Sequence, residues 1–367
     1  MKILLIGEYS NVHATLAEGL RAIGHQVTVI SNGDFWKNYP RNIDVARPNG
    51  KLGGILLMAK LYALLPKLRG YDIVQLINPI FFELKAERLF FFYDYLRQHN
   101  KKVFLGAFGM DYYWVHECTY NKPLRYSDFN FGNQVRKDED AINAQHDWLG
   151  TAKERLNKMI AKDCDGIITG LYEYQVCYEP YFSDKTRFIP YPVKMPDSSI
   201  VYEPHDKLRL FIGISKKRSV YKGTDIMQKA AEAIAAKYPQ QVVLQIASGV
   251  PYAQYEQMLN ASDVILDQLY SYTPAMNALL AMSKGIVVVG GGEPENYDIL
   301  NEKELRPIVN VEPSYDSVYH ELEQLVLHPE RLPEFKRQSM EYIRKHHDYI
   351  TVARQYEQFY KEKSRNT

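Results

Sequence analysis

The stretch DQLYSYTPAMNALLAMSKGIVVVGGGE, residues 267–293, decides how this sequence folds. It follows the short apolar run Val264–Leu266 and opens as a polar loop. Pro274 stands where the first turn of a helix has no use for an N–H, and Gly285 supplies the stop, so the spacing predicts a helix over 274–283. The apolar run 286–289 then reads as a buried strand. Gly290, Gly291 and Gly292 after it let backbone approach a ligand closely. Strand, loop, helix, glycine stop, strand and glycine turn make one βαβ unit, which implies a parallel sheet.

The same alternation runs outward in both directions. In the first half, β-branched runs at Lys2–Ile6, 27–31, 73–77, 103–108 and Gly166–Thr169 predict strands, with a helix over 14–23 closed by Gly24. In the second half, strands are expected at Leu208–Ile214, 242–247, Val264–Leu266, 286–289 and 308–311, with a helix over 224–238. Pro190 and Pro192 stiffen an extended connector, and a polar stretch follows it through Asp206. The predicted organisation is a Rossmann-like domain over 1–192, a second over 193–345 and a closing segment over 346–367. Within that segment an amphipathic helix at 350–363 packs back on the first domain. Residues 110–163 break the alternation, carry two of the three tryptophans, and are expected as a loop-and-helix excursion beyond the sheet.

Composition excludes several function classes. A chain of 367 residues accommodates two α/β domains better than one core. Lys and Arg total 45 against 44 for Asp and Glu, so there is no overall field to attract nucleic acid, and any anion site is local. Cys118, Cys164 and Cys177 form neither a disulfide framework nor a zinc spacing, which suits a reducing cytoplasm. The first residues are too short an apolar run for a signal peptide and read as a first strand. No apolar run reaches membrane-spanning length. The 29 tyrosines offer flat apolar faces with polar tips, which suit sugar rings but equally suit half-buried packing.

Two segments carry chemistry. Residues 213–223 link a strand to a helix and hold Gly213, Ser215, Lys216, Lys217, Arg218, Lys222 and Gly223. Cations just ahead of a helix N-terminus neutralise a diphosphate as its charge develops. A solvated basic loop is the competing reading. The second segment is residues 267–293 itself, with Asp267, Tyr272, Thr273, Asn277 and Glu293, and Glu295 just after it.

Together these segments resemble the nucleotide-sugar half of GT-B glycosyltransferases, above all the retaining family 4. The resemblance extends to the opening strand, the Gly24-His25 turn, the Ile189-Pro190 linker and the Ser262-Asp263-Val264 strand. It implies two Rossmann-like parallel-sheet domains facing a cleft, a nucleotide-sugar as substrate, and neither cofactor nor metal. It also implies that Lys217 or Arg218, with the Lys222-Gly223 pair, meets the diphosphate. The two glutamates of the family's later block fall at Tyr272 and Leu280, which cannot accept from sugar hydroxyls as carboxylates do. Asp267, Asn277, Glu293 and Glu295 are the expected substitutes.

In the first half, the loop after the opening strand lacks a dinucleotide fingerprint and offers Asn11 and His13. For His13, packing at a helix start competes with a donor or acceptor contact. Asp111 ends the strand at 103–108 and is expected either to orient the acceptor hydroxyl, with His116 nearby, or to cap a helix. Asp138-Glu139-Asp140 imitates a metal-binding Asp-x-Asp but reads as a helix start. Residues 51–69 interleave apolar side chains with Lys51, Lys60, Lys67 and Arg69 and contain no acid. They predict a helix that either lies on an anionic membrane surface or packs on the first sheet. The expected function is transfer of a hexose-type sugar, with retention, to a glycan or lipid-linked acceptor at the inner face of the cytoplasmic membrane. A non-catalytic glycan-binding or partner subunit, and a sugar-nucleotide epimerase or hydrolase, stand as alternatives.

Overall fold

The computed structural model describes residues 1–196, 205–215 and 219–365. In chain order the strands are β1 (Lys2–Ile6), β2 (Gln26–Ser31), β3 (Ile43–Asp44), β4 (Ile73–Leu76), β5 (Lys102–Ala107), β6 (Asn130–Phe131) and β7 (Gln134–Val135). They continue with β8 (Gly166–Thr169), β9 (Thr186–Phe188), β10 (Leu208–Ile214), β11 (Val242–Ser248), β12 (Val264–Leu266), β13 (Val287–Gly290) and β14 (Ile308–Asn310). Seven of them form one sheet in the order β3-β2-β1-β4-β5-β8-β9, and five form a second in the order β11-β10-β12-β13-β14. Every pairing within these two sheets is parallel. β6 and β7 form a small antiparallel hairpin.

The chain divides into two compact units. One holds residues 1–123, 143–192 and 349–367 around the larger sheet; the other holds 124–142 and 193–348 around the smaller. The excursion expected over 110–163 is therefore split. Its middle, 124–142, folds with the second unit although its sequence lies inside the run that builds the first. Periodicity carries no sign of this, because the attachment rests on individual polar and aromatic contacts.

In the first unit the helix Tyr349–Glu362 packs against the helix Val12–Ala22. Gly19 makes that approach possible: a Cβ there would lie 2.3 Å from the Tyr349 carbonyl oxygen. Gln75, buried on β4, joins the two elements to the sheet through hydrogen bonds to the Tyr360 hydroxyl and to His13 Nε2 at 3.1 Å. The helix Gly53–Leu64 buries Leu57 and Leu61 but leaves Ile55, Leu56 and Tyr62 exposed, Ile55 at 65%. Lys51, Lys60, Lys67 and Arg69 flank or interrupt this apolar surface and are exposed too. Among the described residues no helix is long and apolar enough to cross a membrane. The three cysteines are buried free thiols.

In the second unit, Leu210 and Ile212 of β10, Val264 and Leu266 of β12, and Val287 and Val289 of β13 form the core with Met227, Ala230, Ala231 and Ile234 of the helix Thr224–Lys237. Alternate residues of each strand face that helix, as a doubly covered parallel sheet requires. The core fixes which loops emerge together at the carboxyl edge.

Candidate functional site

The order β11-β10-β12-β13-β14 is a doubly wound order 2-1-3-4-5. From β10 the chain steps to one side, and from β11 it crosses back to the other, so successive connections diverge between β10 and β12. Ligands of such sheets bind outside the carboxyl ends of the strands at that divergence. The loops there are the ones following β10 and β12, which are the two segments singled out from sequence.

β10 ends on Gly213 and Ile214; Ser215 follows, and one helical turn, Ser219–Lys222, precedes the helix Thr224–Lys237. Lys216, Lys217 and Arg218 lie outside the described residues. Gly213 is needed because a Cβ would stand 2.9 Å from the Tyr255 ring. Gly223 caps the long helix in the left-handed region at φ 69°, and a Cβ there would lie 2.6 Å from Leu269 Cβ. Lys222 O accepts from Leu269 N at 3.0 Å, which pins the basic turn to the loop after β12. Asp225, in the first turn of the long helix, already complements its dipole.

After β12, Asp267 accepts from Asn277 Nδ2 at 2.9 Å, and Tyr255 Oη donates to Asn277 Oδ1 at 3.0 Å. Burial raises the Asp267 carboxyl above its ordinary range, and the Lys222 charge pulls against that rise. Gly213, Lys222, Asp267, Asn277 and Tyr255 thus form one polar group at the divergence of the sheet. Tyr255, on the helix Tyr252–Asn260, carries no motif signal; only the missing side chain at Gly213 hints at a ring opposite it.

Tyr272, Thr273, Glu293 and Glu295 are differently engaged. Tyr272 is 1% exposed, with its ring centroid 4.8 Å from that of Tyr126 and the Arg125 guanidinium 5.0 Å above its face. Burial pushes its hydroxyl up to about 12. Thr273 is buried as well, and its carbonyl accepts from Ser271 Oγ at 2.5 Å. Glu293, 7% exposed, accepts from Tyr126 Oη at 2.5 Å on one oxygen and from Arg125 Nη2 at 2.7 Å on the other. Glu295 pairs with the same guanidinium; burial would raise its carboxyl, but Arg125 outweighs that and holds it below the usual range. The two glutamates expected to meet sugar hydroxyls are thus engaged by Arg125 and Tyr126, from the segment 124–142.

The first-unit candidates are internal fixtures. Asp111 is fully buried, caps the helix Tyr112–His116 through Trp114 N at 2.9 Å, and accepts from Tyr178 Oη at 2.7 Å. Burial lifts its carboxyl to about 7. Of the two expectations for Asp111, the helix cap is the one its contacts display. His13 is also fully buried, with Nδ1 2.8 Å from Gly7 O, and burial drives its ring down to about 3, so it is neutral at physiological pH. Asn11 opens the helix Val12–Ala22 at φ 72°. His116 is half-buried, with Nδ1 2.8 Å from Glu117 Oε1. Asp138 accepts from Ala141 N at 3.1 Å at the start of the helix Glu139–Trp148, as the decoy reading requires. Among the described residues no group of three or more His, Cys, Asp and Glu side chains is set to hold a metal ion.

No family profile matches this sequence, and no curated protein does. Solved structures do match, along almost the whole chain. Sucrose-phosphate synthase from Thermosynechococcus elongatus superposes with a TM-score of 0.58 at 14% identity, covering 99% of this chain and 98% of that one. The fold is GT-B. Two further GT-B structures bracket the chemistry the fold hosts. Anabaena HepE in complex with UDP-glucose matches at TM-score 0.57 and 12% identity, covering 98% of both chains. The UDP-GlcNAc 2-epimerase of Neisseria meningitidis, bound to UDP-GlcNAc, matches at TM-score 0.54 and 14% identity, covering 98% of this chain and 99% of that one.

Proposed function

We propose that this GT-B chain is a glycosyltransferase that moves a hexose-type sugar, with retention, from a nucleotide-sugar donor to a hydroxyl of a glycan or lipid-linked acceptor. The observation that carries this reading is the polar group at the divergence of the smaller sheet, in a chain whose fold matches that of HepE holding UDP-glucose. Lys222, with Lys217 and Arg218 from the same loop, neutralises the leaving diphosphate. Gly213 and Gly223 let backbone come close to it. Asp267 accepts from donor hydroxyls, in place of the glutamates replaced by Tyr272 and Leu280, and Asn277, held by Tyr255, orients it. Ser215, just after β10, is exposed. The nucleotide-sugar is the substrate, and the reaction draws on no further cofactor.

The partner surface for a lipid-linked acceptor is the exposed face of the helix Gly53–Leu64. Its apolar side chains and flanking cations suit an anionic bilayer at the inner face of the cytoplasmic membrane. A second reading, epimerisation or hydrolysis of the donor, is favoured by the match to the UDP-GlcNAc 2-epimerase. A non-catalytic partner role is favoured by the burial of Tyr272 where the family has a glutamate.

A thermal-shift series with UDP-, GDP-, dTDP- and ADP-sugars, followed by transfer assays, separates the three. A donor that raises the unfolding temperature and is consumed only with acceptor supports transfer. Consumption without acceptor supports the second reading, and no stabilisation by any donor supports the third. Lys222→Ala is expected to lower turnover at least ~100-fold with the fold intact; unchanged turnover sinks the assignment of the basic turn.

A further inference from the structure

The turn that carries Lys222 is held from outside its own loop. It spans only Ser219–Lys222, too short to stabilise itself, and Val220 O and Lys222 O each accept one backbone N–H, from Gly223 at 3.3 Å and Leu269 at 3.0 Å. Arg136 adds donors from outside the loop: Nη2 to Val220 O at 3.0 Å and Nη1 to Tyr221 O at 3.3 Å. The Arg136 side chain is 4% exposed and lies against the rings of Tyr270 at 4.5 Å and Phe131 at 5.1 Å, which meet each other edge to face, with Asp138 Oδ2 on its Nε at 2.9 Å. A guanidinium so stacked and paired has one orientation. The side chain of Tyr221 is held from the same segment, its hydroxyl donating to Asp128 Oδ2 at 2.5 Å. Backbone and side chain of the residue before Lys222 are thus both fixed by residues 124–142, which belong to the second unit.

We propose that Arg136 and Asp128 are positioning residues for the diphosphate-binding turn, setting Lys222 through Val220 and Tyr221. This rests on the donor-site reading above and names a dependence that the basic loop alone would not have. A cation at the carboxyl end of a single turn also offsets its dipole, so Arg136 sets the direction of the turn as well as its place.

The test is a double-mutant cycle on UDP affinity, measured by calorimetry on the full chain with wild type, Lys222→Ala, Arg136→Met and the double variant. Arg136→Met is expected to weaken UDP about tenfold. In the Lys222→Ala background it should weaken UDP by no more than about twofold, because the group it positions is gone. Additive losses would mean that Arg136 does not act through Lys222, and the proposal falls. If Arg136→Met does not fold, Asp128→Ala and Tyr221→Phe, which keep the guanidinium and remove one hydrogen bond, replace it in the same cycle. Their loss of UDP affinity must likewise vanish without Lys222. Wild type that binds no UDP, GDP, dTDP or ADP overturns the donor-site reading and this inference with it. Wild type that binds, with additive variants, overturns the inference alone.

Discussion

At the carboxyl edge of the seven-stranded sheet, the first loop is closed by its own buried groups. Glu8 accepts from Ala14 N at 2.8 Å and His13 N at 3.3 Å, His13 bonds back to Gly7 O, and Asp111 caps the helix beside it. At the edge of the five-stranded sheet the loops are tied by charge instead, with Arg125 on Glu293 and Glu295 and Arg136 on the turn at 219–222. The buried groups of the first edge bond to nearby backbone, with the Lys37–Asp34 pair holding Ser10 at its rim. The other edge is ionic and assembled from a segment distant in sequence. Charges so little exposed as Arg136 and Glu293 stand only because each is paired and hydrogen-bonded, which is what sets the second edge apart.

Three perturbations break or sharpen that contrast. The largest expected effect is from Gly223→Ala, which meets both a left-handed φ and the Leu269 side chain. It should cost roughly 3 kcal/mol or more. Gly24, also left-handed at φ 92° but with nothing within 4 Å of an added methyl, should cost only about 1 kcal/mol as alanine. Denaturant midpoints read by hydrogen exchange in each unit check the pair. Equal losses would mean that strain, not the pinned turn, governs the second edge.

The second perturbation is pH, and it should act on the first unit. Burial lifts Glu8 from 4.5 to about 8 and Asp111 from 3.8 to about 7. Both carboxyls therefore hold protons in the folded state that the unfolded chain has released. Their stabilisation is complete below the unfolded values and is lost as pH rises through about 7 and about 8. His13, depressed from 6.5 to about 3, has the opposite sign: its contribution is present above 6.5 and is lost as pH falls toward 3. From pH 6.5 to 8 only the carboxyls still titrate, and the first unit should lose roughly 2 kcal/mol. Glu8→Gln should flatten most of that slope, which hydrogen exchange at the two pH values measures. A slope that survives the substitution would place the buried proton elsewhere.

The smallest effect is expected from Arg125→Ala. Its side chain is 55% exposed, so solvent and salt weaken its pairs. A loss of about 1 kcal/mol, shrinking at high ionic strength, is expected in the second unit. A loss of several kcal/mol, independent of salt, would show that Glu293 cannot stand with Tyr126 alone.

Much of the fold is legible in the sequence because parallel strands are short apolar runs with punctuation at both ends. Gly24 and Gly285 end helices where they are expected to. β1, β8, β10 and β12 have the predicted limits. The strand pair β2 and β3 is tied by Asn42, and β3 at Ile43–Asp44 is too short to leave a pattern. The site was legible only as a backbone frame. Lys222, Asp267 and Asn277 gather as their loops suggest, whereas Tyr255 and the segment 124–142 arrive through contacts that no periodicity encodes. The tyrosine content leaves sugar contact and packing equally open; in that segment Tyr126 and Phe131 pack against Tyr272 and Tyr270.

The discontinuity of the second unit also bears on how the chain is made. Arg125 and its partner Glu295 are 170 residues apart in sequence. At ordinary synthesis rates the hairpin segment therefore leaves the ribosome roughly 10–30 s before its partners exist. During that interval Tyr126, Phe131 and Arg136 have nowhere native to go. The second unit is thus finished late and all at once, and a fragment begun at residue 193 would be born without one of its walls.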